Sequence, residues 1–277
     1  MSDQPDTTWR TVLRDATAVV GEVDARRLVE QASGYDGAEL VLHLDEAPSQ
    51  RAIGYFDSML ARRVGGEPLQ YVLGRWGFRT LDLLVDDRVL IPRPETEEVA
   101  GAAIAEARRI GARRVVDLGT GAGGMGLSMA VELGPDVEVW LTDVSSDAID
   151  VARANTAALG RAATNVRLAV GSWYDALPAD LQGTFDVIAA NPPYVRPTEQ
   201  LHTTVIDWEP HVALFGHPGV VVEGALDWLT RPGALVVEHA AWMGDEMVAL
   251  AESVGFDEAR DFHDLSGRER YLVARIS

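Results

Sequence analysis

The sequence predicts an α/β fold, in which a mostly parallel sheet carries helices on both faces and a small helical domain precedes it. Three observations support this prediction. Apolar strand patterns alternate with helical patterns from residue 113 onward. Apolar residues recur at helical spacing over 8–64. A glycine-rich turn follows the first strand of the alternating region, at the edge where such sheets bind ligands.

Residues 1–74 are predicted to form the helical domain. Trp9 begins a pattern of apolar residues at helical spacing that continues to Leu60. Gly34 and Pro48 interrupt this pattern and divide the segment into three or four short helices. No residue in the segment suggests chemistry, so we expect a docking or scaffold role.

Residues 75–94 are predicted to form a hairpin linker that joins the two domains. Apolar and polar residues alternate over 81–85, and Asp86 and Asp87 follow as turn residues. This alternation has the period of a strand with one buried face.

Two prolines, Pro92 and Pro94, stiffen the end of this linker before a helix that begins near Glu95. The simplest interpretation is a helix N-terminus. A more specific one is a rigid lid beside the active-site cleft, because the backbone would hold Arg93 in a fixed place.

Residues 95–277 are predicted to form the sheet domain. Strands are predicted at 114–118, 138–142, 166–170, 185–190, 234–238 and 271–276, and helices at 125–133, 147–159, 220–229 and 243–254. Alternation at this spacing is typical of a Rossmann-like sheet, whose ligands lie at the C-terminal ends of the strands.

A glycine-rich turn follows the first of these strands. It allows backbone N–H groups to approach a ligand closely. The residues expected to contact the ligand are Gly119, Thr120, Gly121, Ala122 and Gly123. With Gly124 the turn also matches the dinucleotide fingerprint, so an NAD enzyme is a rival interpretation at this point.

The next two strand ends carry further candidates for a nucleoside site. Asp143 ends the second strand, where both carboxylate oxygens are well placed to bind a ribose diol. Ser172 and Trp173 follow the third strand, where an adenine ring would lie. Together with the glycine turn, these residues predict a nucleoside-binding site.

The fourth strand, 185–190, runs into Asn191, Pro192, Pro193 and Tyr194. Two consecutive prolines hold the backbone in an extended shape and fix the direction of its carbonyl groups. The amide oxygen of Asn191 and the carbonyl oxygen of Pro192 can together accept both hydrogens of a planar –NH2 group. Tyr194 offers an aromatic face to such a group. This arrangement suits a substrate amide or aromatic amine, whereas a hydride-transfer enzyme needs a nicotinamide pocket that it does not supply.

Composition limits the possible partners and locations. The net charge is −19, and all 24 cationic residues are arginine, so a long nucleic-acid duplex is an unexpected substrate. The chain has no cysteine, and its six histidines lack metal-binding spacing, so no metal site is expected. No apolar run is long enough to span a membrane, and the acidic N-terminus differs from a signal peptide. We expect a cytoplasmic protein.

The segment 191–194 resembles the [Asn/Asp]-Pro-Pro-[Tyr/Phe] motif of S-adenosylmethionine-dependent amino-group methyltransferases. Within that class, the chain resembles the peptide chain release factor glutamine N5-methyltransferases (the HemK/PrmC family) from about residue 9 to its end. The segments that carry this resemblance are 66–74, 91–97, 117–121, 237–239 and 264–270. One segment departs from the family pattern: residues 208–218 keep its Glu-Pro and Ala-Leu but lack its usual glycine-acid ending.

The resemblance implies a class I methyltransferase sheet, S-adenosylmethionine as the methyl donor, and the glutamine of the Gly-Gly-Gln loop in class I release factors as the substrate. The family's glycine loop corresponds to residues 119–123, its ribose acid to Asp143 and its adenine-side aromatic residue to Trp173. Its amide clamp corresponds to 191–194, with Asn191 and Pro192 as the catalytic acceptors.

Three alternatives remain from the sequence. A ribosomal-protein glutamine methyltransferase shares the clamp, but segment 92–97 favours the release-factor branch. A nucleic-acid adenine methyltransferase is opposed by the acidic charge. A non-catalytic nucleotide-binding scaffold leaves the clamp unexplained.

Overall fold

The computed structural model describes residues 7–196 and 203–277. The acidic N-terminal residues 1–6, which argued against a signal peptide, lie outside this range, as does His202. The chain forms two compact units, with the division between Gly74 and Arg75.

The described part of the first unit, residues 7–74, contains five helices. They are α1 (Trp9–Val20), α2 (Glu22–Ser33), α3 (Gly37–His43), α4 (Gln50–Val64) and α5 (Leu69–Leu73). The hydroxyl of Thr8 accepts a hydrogen bond from the backbone N–H of Thr11 and caps α1. Leu28, Phe56 and Met59 pack in the core of the unit, and each contributes about 1.5–3 kcal/mol by burial. Four of these helices lie within 8–64, where the pattern predicts three or four, and α5 lies beyond that segment.

The second unit contains a seven-stranded sheet and a two-stranded hairpin. The hairpin strands are β1 (Arg75–Phe78) and β2 (Leu81–Leu84); the sheet strands are β3 (Arg114–Leu118), β4 (Glu138–Asp143), β5 (Val166–Val170), β6 (Phe185–Ala190), β7 (Leu229–Glu238), β8 (Glu258–His263) and β9 (Glu269–Ile276). The sheet order is β5-β4-β3-β6-β7-β9-β8. The strands from β5 to β7 are parallel, and β9 is antiparallel to both neighbours. Because β3 leads to β4 on one side and β6 leads to β7 on the other, the topological switch point lies between β3 and β6.

Helices cover both faces of this sheet. They are α6 (Pro94–Ile110), α7 (Gly124–Leu133), α8 (Ser146–Leu159), α10 (Gly219–Gly224) and α11 (Gly244–Val254). A further short helix of this unit, α9 (Thr203–Trp208), has no buried residue. Successive residues of β3 point to opposite faces: Val115 packs in one apolar cluster, whereas Val116 and Leu118 pack in the other. The sheet is therefore buried on both sides, as the mostly parallel fold predicted. No helix among the described residues is long and apolar enough to cross a bilayer.

The hairpin packs within the second unit instead of forming a separate linker. Phe78, Leu83 and Val85 share an apolar cluster with the sheet. The turn between the strands lies at residues 79–80, and Asp86 and Asp87 follow the second strand instead.

Asn155 of α8 fixes the hairpin to the glycine turn. Its Oδ1 accepts from the backbone N–H of Leu84 at 2.7 Å. Its Nδ2 donates to the carbonyl of Ala122 at 2.8 Å. The side chain is buried, so these hydrogen bonds satisfy polar groups that would otherwise be costly.

The end of one predicted helix and the start of one predicted strand were wrong by several residues, and three elements, α5, α9 and β8, were missed. The helix predicted at 220–229 ends at Gly224, and β7 already begins at Leu229 because this residue pairs with Phe185. The missed strand β8 lies at the edge of the sheet and carries several charged residues, as edge strands commonly do. The missed helix α9 has only six residues.

Candidate active site

A cavity of about 400 Å³ opens at the C-terminal ends of the central strands. Its wall includes residues that follow β3, β4, β5 and β6, part of the segment 88–96, and the segment that follows α9. It therefore lies at the switch point between β3 and β6, where open α/β sheets bind ligands. The predicted residues that line it are Gly119, Thr120, Gly121, Ala122, Asp143, Ser172, Trp173, Asn191 and Pro193.

The glycine turn approaches the cavity through left-handed backbone. Gly119 has φ of 74° and Gly121 has φ of 55°, values that disfavour other residues. The N–H groups of Gly119 and Thr120 both donate to the carbonyl of Thr142 at 2.9 Å, which holds the turn against β4.

Asp117 lies below this turn and was not assigned from the sequence. Its Oδ2 accepts from the hydroxyl of Thr120 at 2.6 Å and from the backbone N–H of Gly126 at 2.8 Å. Burial raises its pKa to about 6. Its Oδ1 is buried and has no hydrogen-bond partner among the described residues, although Asp117 lines the cavity.

Asp143 is held in one orientation by the backbone. Its Oδ2 accepts from the N–H of Gly121 at 2.9 Å, and its Oδ1 accepts from the N–H of Ser145 at 2.9 Å. Each carboxylate oxygen has a second acceptor site, so both remain able to accept from a diol. Burial raises the pKa of Asp143 above its ordinary value.

Trp173 lies close to the glycine turn. A Cβ atom on Gly119 would lie 3.5 Å from its ring, so the turn and the indole are in close contact. The backbone of Trp173 has φ of 47°, an uncommon conformation for a bulky residue. Such strain is typical of functional sites.

The side chain of Asn191 belongs to a chain of buried hydrogen bonds. Its Nδ2 donates to Oγ1 of Thr96 at 3.0 Å. The Thr96 hydroxyl is 2.7 Å from Oε2 of Glu238. Among the described residues, no group donates to Oδ1 of Asn191 or to the carbonyl of Pro192. These are the two acceptors that the sequence predicts.

Three predicted residues do not line the cavity: Gly123, Pro192 and Tyr194. Gly123 caps α7 with a left-handed φ of 91°. Pro192 is buried within the clamp segment. The hydroxyl of Tyr194 lies 3.1 Å from Oε1 of Glu238, the second oxygen of the carboxylate that contacts Thr96.

The segment 208–218, which departs from the family pattern, packs closely on the clamp. Val195 forms a β-bridge with Phe215, and its N–H donates to the carbonyl of Leu214 at 2.9 Å. A Cβ atom on Gly216 would lie 2.9 Å from Cβ of Pro193, so only glycine fits there without movement. Phe215 and Gly216 both line the cavity.

One cluster with potential metal ligands lies elsewhere, although the sequence predicted no metal site. Ligand atoms of Asp261, His263 and Glu269 lie within 4.8 Å of one another. A Cβ atom on Gly244, the first residue of α11, would lie 2.7 Å from Oε2 of Glu269. The helix N-terminus accounts for the acidic side chains, because it favours negative charge.

Comparisons with known proteins agree with this architecture. The methyltransferase domain model matches residues 111–264, and the PrmC N-terminal domain model matches residues 7–74. A release factor glutamine methyltransferase of Xylella fastidiosa is 37% identical, with 95% of this chain and 96% of the relative covered. One of Bifidobacterium longum is 36% identical, with 95% of each chain covered.

Solved structures share the fold at lower identity. A T. thermophilus 16S rRNA N2 G1207 methyltransferase, solved with AdoMet and guanosine, has a TM-score of 0.53 and is 17% identical, with 73% of this chain and 50% of that chain covered. This similarity concerns the fold alone. The identity and coverage of the Xylella and Bifidobacterium relatives are sufficient to assign the family, and the chain belongs to the release factor glutamine methyltransferases.

Proposed function

We propose that this protein transfers a methyl group from S-adenosylmethionine to the side-chain amide nitrogen of a release factor glutamine, namely the glutamine of the Gly-Gly-Gln motif in class I peptide chain release factors. The observation that supports this most directly is the composition of the cavity wall. A nucleoside-type glycine turn forms one part of it, and the wall also includes Asn191, whose Oδ1 has no donor among the described residues.

The cofactor is assigned to the glycine-turn side. The turn from Gly119 to Ala122 would pack its backbone against the ligand, although the N–H groups of Gly119, Thr120 and Gly121 are already used within the protein. Asp143 would bind the ribose diol, and Ser172 and Trp173 would lie beside the adenine. Asp117 lines the cavity, and its negative charge would favour a cationic group of the ligand. When bound, S-adenosylmethionine supplies an electrophilic methyl group on its sulfonium sulfur.

The substrate amide is assigned to the clamp. An amide nitrogen is a poor nucleophile because its lone pair is delocalised into the carbonyl group. Oδ1 of Asn191 and the carbonyl of Pro192 would accept its two N–H bonds and direct the nitrogen toward the methyl group. Positive charge develops on the nitrogen during in-line attack, so these acceptors stabilise the transition state more than the ground state. The nitrogen then releases a proton to solvent to give the neutral methylamide, and the sulfonium sulfur would be left as a neutral thioether.

The remaining parts of the proposal concern partners and location. The helical unit, residues 7–74, would dock the release factor, since its described side chains form an apolar core without a cavity-lining residue. Nucleic acid is not expected to bind directly, because a net charge of −19 opposes phosphate contacts. The protein would act in the cytoplasm, where release factors work.

The test is mass spectrometry of a release factor incubated with this protein and S-adenosylmethionine. We expect one added methyl group on the Gly-Gly-Gln glutamine and none when that glutamine is replaced by alanine. Ribosomal proteins serve as the competing substrate. If a ribosomal-protein glutamine is methylated and the release factor is not, the proposed substrate is wrong.

A further inference from the structure

We propose that Thr96 and Glu238 are positioning residues, which together determine that Asn191 presents its oxygen, and not its nitrogen, to the substrate amide. This inference rests on the proposed function. The observation that carries it is the hydrogen-bond chain from Nδ2 of Asn191 to Oγ1 of Thr96 and on to Oε2 of Glu238.

The clamp needs such a chain because the two ends of an asparagine amide have nearly the same shape. The oxygen accepts hydrogen bonds, whereas the nitrogen donates two. If the amide of Asn191 were reversed, its –NH2 group would face the –NH2 group of the substrate glutamine. Two donors would then meet, and the substrate nitrogen would lose one of its acceptors.

The direction of the chain follows from the donors available. While Glu238 is ionised it only accepts, so in that state the hydroxyl groups of Thr96 and Tyr194 both donate to it. A hydroxyl has a single hydrogen, and that of Thr96 is used in this bond. Its oxygen can therefore only accept from Asn191, which turns Nδ2 toward Thr96 and leaves Oδ1 for the substrate.

Thr96 and Glu238 are both buried, so while Glu238 is ionised the direction of the chain is set by its own groups. Thr96 is 7% exposed and Glu238 is 1% exposed. The charged groups that act on Glu238 are Arg270 of β9 and Glu95 of α6, and Tyr194 contacts it directly. Arg270 pairs with Asp264 at 3.1 Å, and no described cation lies within ion-pair distance of Glu238. Burying a carboxylate without an ion pair is costly, so an apolar residue would serve better if the site were only structural.

The chain also joins distant parts of the sequence. Thr96 lies in the first turn of α6, Asn191 follows β6, and Glu238 ends β7. A purely structural role for Thr96 and Glu238 would only attach α6 to the sheet. The experiment must therefore separate an effect on Asn191 from an effect on folding.

The primary comparison uses Thr96→Val, which keeps the shape but removes the hydroxyl, and Thr96→Ser, which keeps the hydroxyl. Thr156→Val is the matched control: Thr156 is also helical, and its hydroxyl donates to the carbonyl of Ala152 at 2.7 Å, away from the cavity wall. Methylation by the wild type is measured first, since its absence would reject the proposed function and not this inference.

With an active wild type, we expect Thr96→Val to lower kcat about tenfold or more, the cost of one oriented hydrogen bond. KM for the release factor and Kd for S-adenosylmethionine should change by less than about threefold, because binding contacts remain. Thr96→Ser should recover most of kcat. If kcat of Thr96→Val equals kcat of Thr156→Val, the inference is overturned.

A double-mutant cycle with Asn191→Ala provides the second readout, measured in single turnovers. If Thr96 acts through Asn191, Thr96→Val should lower the rate by less than about twofold in the Asn191→Ala background. A full tenfold loss in that background would show that Thr96 acts independently of Asn191 and would overturn the positioning role.

Discussion

Arg93 and Glu209 form an ion pair, with Nη2 2.5 Å from Oε1, and the Glu209 side chain is only 2% exposed. The other oxygen, Oε2, accepts from the backbone N–H of Ile91 at 3.2 Å. One carboxylate therefore holds the segment before α6 to the segment that follows α9. Both segments contribute to the cavity wall, through Pro92, Arg93 and Pro210 among others.

Replacing Arg93 and replacing Glu209 should lower the stability of the protein by different amounts. Arg93→Ala leaves a buried carboxylate without its cation, whereas Glu209→Gln leaves a guanidinium that is 33% exposed and can turn to water. We expect the free energy of unfolding to fall by about 2–3 kcal/mol for Arg93→Ala and by about 1 kcal/mol for Glu209→Gln. Urea unfolding measures both. The double variant should resemble Glu209→Gln, and an equal loss in both single variants would contradict the burial argument.

The clamp predicts distinct outcomes for two substitutions of Asn191. Asn191→Ala removes one acceptor but leaves the nucleoside side of the cavity, so turnover should fall about a hundredfold or more with little change in cofactor affinity. Asn191→Asp places an oxygen opposite Oγ1 of Thr96, which has no hydrogen left to donate. We therefore expect Asp to be as poor as Ala in a methylation assay. An Asp variant much more active than the Ala variant would mean that Asn191 serves only as an acceptor.

The ribose assignment is tested by Asp143→Ala. Loss of charged hydrogen bonds to the diol should weaken S-adenosylmethionine binding by about 1–3 kcal/mol in calorimetry. Asp147→Ala, an exposed acid at the start of α8, is the control and should bind normally. The wild type should bind NAD far more weakly than S-adenosylmethionine, and the reverse order would reject the cofactor assignment.

Glu238 predicts a pH-dependent stability. Burial raises its pKa to about 7 from an ordinary value of 4.5, so between these values the native state keeps a proton that the unfolded chain releases. The wild type therefore loses stability through Glu238 as pH rises through this window. As pH rises from roughly 5.5 to 8, the free energy of unfolding of Glu238→Gln should increase by about 2 kcal/mol relative to that of the wild type. A pH-independent difference in urea unfolding would contradict this.

The same carboxyl predicts the pH dependence of turnover. The ionised form accepts from Thr96 and directs Asn191, so single-turnover rates should rise as pH increases through about 7. This rise should be absent in Glu238→Gln, whose amide does not titrate. If the single-turnover rate of Glu238→Gln still rises with pH, the rise belongs to another titrating group.

The proposed docking role of the helical unit is tested by deleting residues 1–74 in a protein whose circular dichroism shows a folded sheet unit. Cofactor binding should be retained, because every described cavity-lining residue lies after position 77. Activity should fall more on an intact release factor than on a short glutamine peptide. Equal losses on both substrates would reject docking.

The sequence was sufficient for the parts of this site that depend on local pattern. Apolar strands followed by turns placed Gly119, Asp143, Trp173 and Asn191 at strand ends, and the parallel sheet brings such ends together. Glycines at left-handed positions were also recognisable, because few other residues adopt that conformation.

The sequence could not reveal the partners of Asn191. Thr96 matched an ordinary helix start, and Glu238 was the last residue of an apolar strand. Their contact joins residues 142 positions apart, and only the pairing of β6 with β7 and the packing of α6 create it. The one signal in the sequence was that Glu238, a carboxylate, ends a strand of apolar residues. Asp117, which also follows buried residues, was missed for the same reason.

The position of the cavity between β3 and β6 also bears on how the chain folds. The glycine turn belongs to the half of the sheet built from β3, β4 and β5, and the clamp belongs to the half built from β6, β7, β9 and β8. Each half pairs strands that are near neighbours in sequence, whereas β3 and β6 meet only through a long-range contact, which is slow to form. Neither half alone has a complete cavity. The complete cavity therefore requires the pairing of β3 with β6, and a chain without this pairing lacks the complete site.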